Sequence, residues 1–230
     1  MFEHLRRPWK RIIAPIARSL VAVGISANAV TVIGAAGTVV IAIVTGITGW
    51  LLAGAVLMAI LVAFDSLDGS VAVLTGGGTQ FGAFLDSTLD RIADWAVLTG
   101  VIIYYFRLLL QGSNAALSTT MTSLWSHQFW AMLGISSALF SIMTSFVTSY
   151  ARARAEAEGF EAKNGIATRS DRLVIILVGM ALTGAGLPVA VMSCFMLLLA
   201  LLGIVTVYQR IHMVSTSMSR RPSPMNPAHE

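Results

Sequence analysis
Three stretches of this sequence, residues 19–64, 108–151 and 173–209, contain no Asp, Glu, Lys or Arg. A soluble fold could not keep runs of that length hydrated, whereas a bilayer-spanning helix needs only about 20 mainly apolar residues. The 15 basic and 11 acidic residues make up 11% of the 230-residue chain, against about 25% in an ordinary soluble domain. The pattern excludes a soluble enzyme, a disordered chain and a disulfide-stapled secreted module. It predicts an all-α integral membrane protein. The single cysteine, Cys194, lies in an apolar run and reads as a small packing residue.

Placing the breaks between apolar runs predicts six transmembrane helices, at about 28–49, 51–74, 80–106, 126 onward into the charged 152–158 segment, 171–185 and 187–210. Residues 107–125 and 159–170 read as polar loops, and Gly76, Gly77 and Gly78 as a short turn. Ahead of the first span, residues 2–24 place Leu5, Trp9, Ile12, Ile13, Ile16 and Leu20 at helical spacing among Arg6, Arg7, Lys10, Arg11 and Arg18. An apolar stripe beside a basic face predicts an amphipathic juxtamembrane helix lying in the membrane surface, not a cleaved signal peptide. The expected organisation is one membrane domain over 1–213 and a disordered cytoplasmic tail over 214–230, where proline and serine are frequent.

Six spans put both termini on one side. Every Lys and Arg except Arg91 and Arg107 then falls on that side, which the positive-inside rule makes cytoplasmic. The glycine turn faces the same way, so the acids flanking it sit at the cytoplasmic end of the bundle.

Those acids are the chemically informative feature. Asp65 and Asp68 are three apart near the end of the second span; Asp86, Asp90 and Asp94 are four apart at the start of the third. Each set shares a helix face, and the turn brings the two faces together. An ionisable residue at membrane depth costs at least about 2.5 kcal/mol, so such residues are functional by default. Oxygen-only ligands favour a hard cation such as Mg²⁺ or Mn²⁺, and no His stands near to suggest zinc. Asp94, a turn deeper with Arg91 three residues before it, reads equally well as half of a structural ion pair.

Asp65, Asp68, Gly69, Ala72, Gly82, Asp86 and Asp90 stand at the spacing D-x2-D-G-x2-A-R-x8-G-x3-D-x3-D, which resembles the signature of the CDP-alcohol phosphotransferase family. The one departure is Val73, where the family has Arg. The segments GGGTQFGAFLDSTLDRIADW, SYARARAEAEG, RSDRL and YQRIH resemble in particular the family's actinobacterial branch, which joins CDP-diacylglycerol to inositol 1-phosphate to give phosphatidylinositol phosphate and CMP. The resemblance implies a bacterial plasma-membrane enzyme of phospholipid biosynthesis, working as a homodimer, with six spans behind a surface helix and no nucleic-acid partner.

Carried over position by position, the resemblance implies that Asp65, Asp68 and Asp86 bind metal, two ions of Mg²⁺ or Mn²⁺. Asp90 stands at the edge of that site and acts as the catalytic base. It implies further that Asn28, Thr31, Asp68, Gly69, Val73, Thr79 and Gly82 line the CDP-lipid pocket, with Gly69 admitting the nucleotide close to the backbone and Gly82 packing the second and third spans together. Arg152, Arg172 and Arg210 match positions that clamp the acceptor phosphate; Arg154, Lys163 and Arg169 read as topology and headgroup charges. Val73, lacking the donors of Arg, leads to an expectation of weaker CDP-lipid binding. Still open at this stage are another acceptor (glycerol 3-phosphate, serine or free inositol), a catalytically weakened relative, and a divalent-cation transporter.

Overall fold
The computed structural model describes residues 3–64, 66–115, 127–160 and 168–219. They form eight helices: α1 (Glu3–Ala22), α2 (Ala27–Thr48), α3 (Leu51–Phe64), α4 (Ser66–Leu74), α5 (Gln80–Ala115), α6 (His127–Ala157), α7 (Arg169–Gly184) and α8 (Val189–Ser219). Five stretches are long and apolar enough to cross a membrane: α2, Leu51–Leu74 (α3 with α4), Gln80–Gln111 within α5, α6, and Val189–Met218 within α8. At 16 residues, α7 reaches about 24 Å, short of the roughly 30 Å hydrocarbon core.

The ends of the helices follow local chemistry. Ser26 caps α2 by accepting from Ala29 N, and Gly49, in the left-handed region (φ 78°), closes it. Thr168 and Asp171 form a reciprocal capping box that fixes the start of α7. Two expected loops are shorter than the sequence suggests. Helix α5 runs on through Arg107 to Ala115, because Leu108 and Leu109 still pack against the core. Helix α8 continues past Arg210 to Ser219, so 211–219 is helix. Residues 116–126 of the expected loop, Lys163 in the 159–170 loop, and 220–230 of the expected tail lie outside the described residues.

The interior combines large apolar groups such as Met58, Tyr105, Met192 and Leu199 with many small and hydroxyl-bearing residues. Ala42, Thr38 and Thr45 of α2 and Ser137, Ser141 and Thr144 of α6 are buried, while Val40, Val44, Ile60, Val178, Leu201 and Ile204 face outward. Small residues between helices let their backbones approach closely, which packing in lipid favours. A Cβ on Gly100 would collide with the Ala42 carbonyl, and one on Gly46 with the Gly100 carbonyl, so α2 and α5 touch backbone to backbone. Several of the polar groups are served locally: Ser141, Thr148 and Thr206 each donate back to a carbonyl in their own helix.

These contacts also set direction. Helices α2 and α5 run parallel, since Gly82 meets Asn28 while Gly100 meets Ala42. Helices α6 and α8 also run parallel: Ser193 Oγ donates to Trp130 O near one end and Arg210 Nη1 to Thr148 O near the other. Helix α7 carries the chain back between them, from Arg169 beside Asp90 to Gly184 against Leu52. Helix α1 lies on α4, burying Ile13 and Ala17 against Leu67 and Val71; its side chains ahead of Ile13 lie outside the described ones.

Candidate functional site
At the end of the bundle where α4 turns into α5, the N-termini of α2 and α5, the body of α4 and the glycine turn enclose an open cavity of about 430 Å³. Ser26, Asn28 and Thr31 line it from α2 and its cap, Asp68, Gly69 and Ala72 from α4, Gly77 and Thr79 from the turn, and Gly82 and Asp86 from α5. The turn can bend so tightly because Gly76 (φ 102°) and Gly77 (φ 108°) adopt backbone conformations that other residues avoid. Gly77 N then closes α4 by donating to Ala72 O at 2.8 Å.

Of the residues expected to hold metal, Asp68 and Asp86 face this cavity together. Asp68 is oriented by Thr31, whose Oγ1 donates to Asp68 Oδ2 at 2.8 Å. Asp90, one turn along α5 from Asp86, instead lines a narrow crevice beneath, between α2, α3, α5 and α7. Thr31 borders both spaces. Asp65 lies outside the described residues. Among the described residues no three His, Cys, Asp or Glu stand close enough together to hold one ion. The side-chain donors lining the cavity are carboxylate, hydroxyl and amide oxygens, a set that fits a hard divalent cation.

The residues expected to line the nucleotide pocket divide by role. Asn28, Thr31, Asp68, Gly69, Thr79 and Gly82 all line the cavity. Thr79 also caps α5, its Oγ1 accepting from Gly82 N at 2.9 Å. Gly82 was expected to pack spans two and three; it does so instead between α5 and α2, where an added Cβ would lie 3.0 Å from Asn28 Oδ1. A Cβ on Gly69 would meet nothing within 4 Å, so its missing side chain leaves space on the cavity side rather than serving helix packing. Val73 is not brought to the cavity: it is 77% exposed on the outer face of α4, while its neighbour Ala72 points in.

The basic residues sort differently from the sequence reading. Arg169, expected to serve topology, is bound to the acids: its Nη1 lies 2.8 Å from Asp90 Oδ1 and its Nε 3.3 Å from Asp94 Oδ1. Asp94 is 6% exposed; its ion-pair partners are Arg169 and Arg172, the latter through Nη2 to Oδ2 at 3.3 Å, in place of the expected Arg91. Arg152 pairs with Glu156 at 2.8 Å and Arg154 with Glu158 at 2.7 Å, both four residues on, at the C-terminal end of α6. Arg210 rests Nη1 on the Thr148 carbonyl, and its buried Nε has no hydrogen-bond partner among the described residues. It stands within electrostatic reach of Arg152, Arg172 and Arg91. The spacing of Arg169 and Arg172, three apart at a helix start, carried the signal for the ion-pair chain; nothing along the sequence said which acids they meet.

The family description CDP-alcohol phosphatidyltransferase matches residues 24–217. A phosphatidylinositol phosphate synthase of Cutibacterium acnes is 37% identical over 223 residues, covering 92% of this chain and 96% of that protein. One of Corynebacterium glutamicum is 36% identical, covering 93% and 89%. The crystal structure of the Mycobacterium tuberculosis phosphatidylinositol phosphate synthase with CDP-DAG bound superposes with a TM-score of 0.77 at 34% identity, over 94% of this chain and 100% of that one. The same enzyme in complex with manganese and citrate gives 0.75 at 33% identity, over 94% and 96%. The chain belongs to the CDP-alcohol phosphatidyltransferase family.

Proposed function
We propose that this member of the CDP-alcohol phosphatidyltransferase family transfers the phosphatidyl group of CDP-diacylglycerol to inositol 1-phosphate, releasing CMP and forming phosphatidylinositol phosphate. The observation that carries the reading is the position of Asp90. It stands below the cavity lined by Asp68 and Asp86 and is joined through Arg169 and Asp94 to Arg172, a member of the arginine cluster. A donor held by the acids and an anionic acceptor held by the arginines would meet at that carboxylate.

The chain's own groups divide the work. Gly69 and the N-terminus of α2 admit the nucleotide close to backbone, while Thr31 orients Asp68. Asp65, Asp68 and Asp86, with Asp90 at the edge, would hold divalent metal, either Mg²⁺ or Mn²⁺ and two ions in our reading. Bound metal supplies charge neutralisation at the diphosphate and at the departing CMP. Arg152, Arg172 and Arg210 would offer donors to the dianionic acceptor phosphate. Asp90 accepts the proton of the acceptor hydroxyl as its oxygen bonds to the β-phosphorus and the bond from that phosphorus to the CMP oxygen breaks.

The same reading makes α7 the sixth membrane pass, α1 a helix in the membrane surface, and the end bearing the site, with both termini, cytoplasmic in a bacterial plasma membrane, the enzyme being a homodimer. The antiparallel run of α7 between parallel α6 and α8 supports the sixth pass. The test is CMP release by purified protein given CDP-diacylglycerol, Mg²⁺ or Mn²⁺, and each candidate acceptor in turn. Release with inositol 1-phosphate alone supports the proposal; release only with glycerol 3-phosphate, serine or inositol replaces the acceptor, and none at all defeats it.

A further inference from the structure
The ion pairs on α5 and α7 form one chain, Asp90–Arg169–Asp94–Arg172. Neither Arg169 nor Asp94 is among the metal, nucleotide or acceptor residues assigned above. We propose that Arg169 and Asp94 are positioning residues for Asp90: a single guanidinium bridges two carboxylates one helical turn apart and holds the base in place, and Asp94 ties that bridge to Arg172 in the acceptor site. The proposal rests on Asp90 acting as base and Arg172 as an acceptor ligand.

Three observations support it. First, the geometry uses the guanidinium fork. Nη1 engages Asp90 and Nε engages Asp94, at 2.8 and 3.3 Å, a double engagement that an ammonium point charge cannot reproduce in the same plane. Second, the pair is buried where burial is costly. The side chains of Asp94 and Arg172 are only 8% and 13% exposed, and a buried ion pair contributes little net stability compared with apolar packing. Its presence needs a reason other than holding α7 in place, which the close contacts of Gly184 with Leu52 of α3 and of Gly179 with Met192 and Phe195 of α8 already do. Third, Arg169 is itself fixed. It is the first residue of α7, and the capping box of Thr168 and Asp171, with Thr168 N donating to Asp171 Oδ2 at 2.9 Å, sets where that helix starts. A charge serving topology alone needs no such registration, since any cytoplasmic position satisfies it.

The chain also gives acceptor binding a route to the base. An acceptor phosphate on Arg172 competes with Asp94 for that guanidinium. Asp94 then leans more fully on Arg169, which also holds Asp90. The carboxylate that must reach the acceptor hydroxyl is therefore held by a residue that responds to the acceptor's phosphate.

The test compares Arg169→Lys, Arg169→Gln, Asp94→Asn and the double variant Arg169→Gln/Asp94→Asn with the wild type in the CMP-release assay, recording kcat, both KM values and melting temperature. Misplacing a reacting group by about 1 Å costs about 100-fold, so Arg169→Lys should lower kcat about 10- to 100-fold while KM for CDP-diacylglycerol stays within about twofold. Residues acting as one unit are not additive; the double variant should lose no more than the worse single one. Wild-type kcat in Arg169→Lys would show that only the charge matters and would overturn the proposal, as would multiplying losses in the double variant or a loss confined to KM. Should Asp94→Asn not fold, Arg169→Lys, which keeps the charge, carries the test. If the wild type releases CMP only with another acceptor, the substrate reading fails, and the same variants measured with that acceptor still decide the positioning role.

Discussion

Replacing Gly69 by Ala should raise stability and weaken CDP-lipid binding at the same time. The backbone at Gly69 is not among the positive-φ glycines, so it is helix that any L-residue can adopt. A methyl built there meets no atom within 4 Å, so there is nothing to displace. Alanine in a helix interior is favoured over glycine by about 0.5–1 kcal/mol, and the melting temperature should rise or hold. The same methyl stands on the wall of the 430 Å³ cavity, where the nucleotide is to approach the backbone. Overfilling a closely packed contact costs about 1–3 kcal/mol, equivalent to an increase of about five- to 150-fold in the apparent KM for CDP-diacylglycerol. CMP release at varied donor concentration, with thermal unfolding in detergent beside it, measures both effects. An unchanged KM would mean that no ligand comes close to Gly69. A fall in melting temperature would mean that the residue serves packing, and the reasoning would fail at its first step.

Other substitutions separate the remaining roles. Val73→Arg adds a guanidinium beside cavity-lining Ala72 and should lower KM for CDP-diacylglycerol several-fold; no change would confine nucleotide recognition to the residues already facing the cavity. Arg210→Gln removes a clustered charge together with the unpartnered Nε. It should raise KM for inositol 1-phosphate by about 1.5–3 kcal/mol, or at least tenfold, with donor KM unchanged; an equal rise in both would argue against an acceptor site there. Gly100→Ala drives a methyl into the Ala42 carbonyl, where only backbone can give way, and should destabilise the fold by about 1–3 kcal/mol, read as a lowered melting temperature. Unchanged unfolding would contradict the close approach of α2 and α5.

The membrane character, the order of apolar helices and the acidic motif were legible along the chain, because each depends on spacing within one helix or on where charge is absent. The break after Gly49 and the turn at Gly76 and Gly77 were equally readable, since positive φ selects glycine. Less legible were the helix ends at Ala115 and Ser219: polar residues there suggested loop, yet both helices continue through them. The direction of Val73 was hidden too. The motif names the position, yet the structure turns Ala72 inward and leaves Val73 outside.

By itself, then, the sequence determined that the chain is a helical membrane protein with carboxylates gathered toward one end, since scarcity of charge and helical periodicity are properties of single segments. Tertiary structure alone decided partnership. Asp94 meets Arg169 and Arg172 rather than Arg91, Gly82 fits α2, and Asp90 looks into a different space from Asp86. Those outcomes depend on the rotation and register of α5 against α2 and α7. Contacts between residues far apart in the chain set both, Gly100 on Ala42 and Arg169 on Asp90 among them, and no periodicity within one helix encodes them.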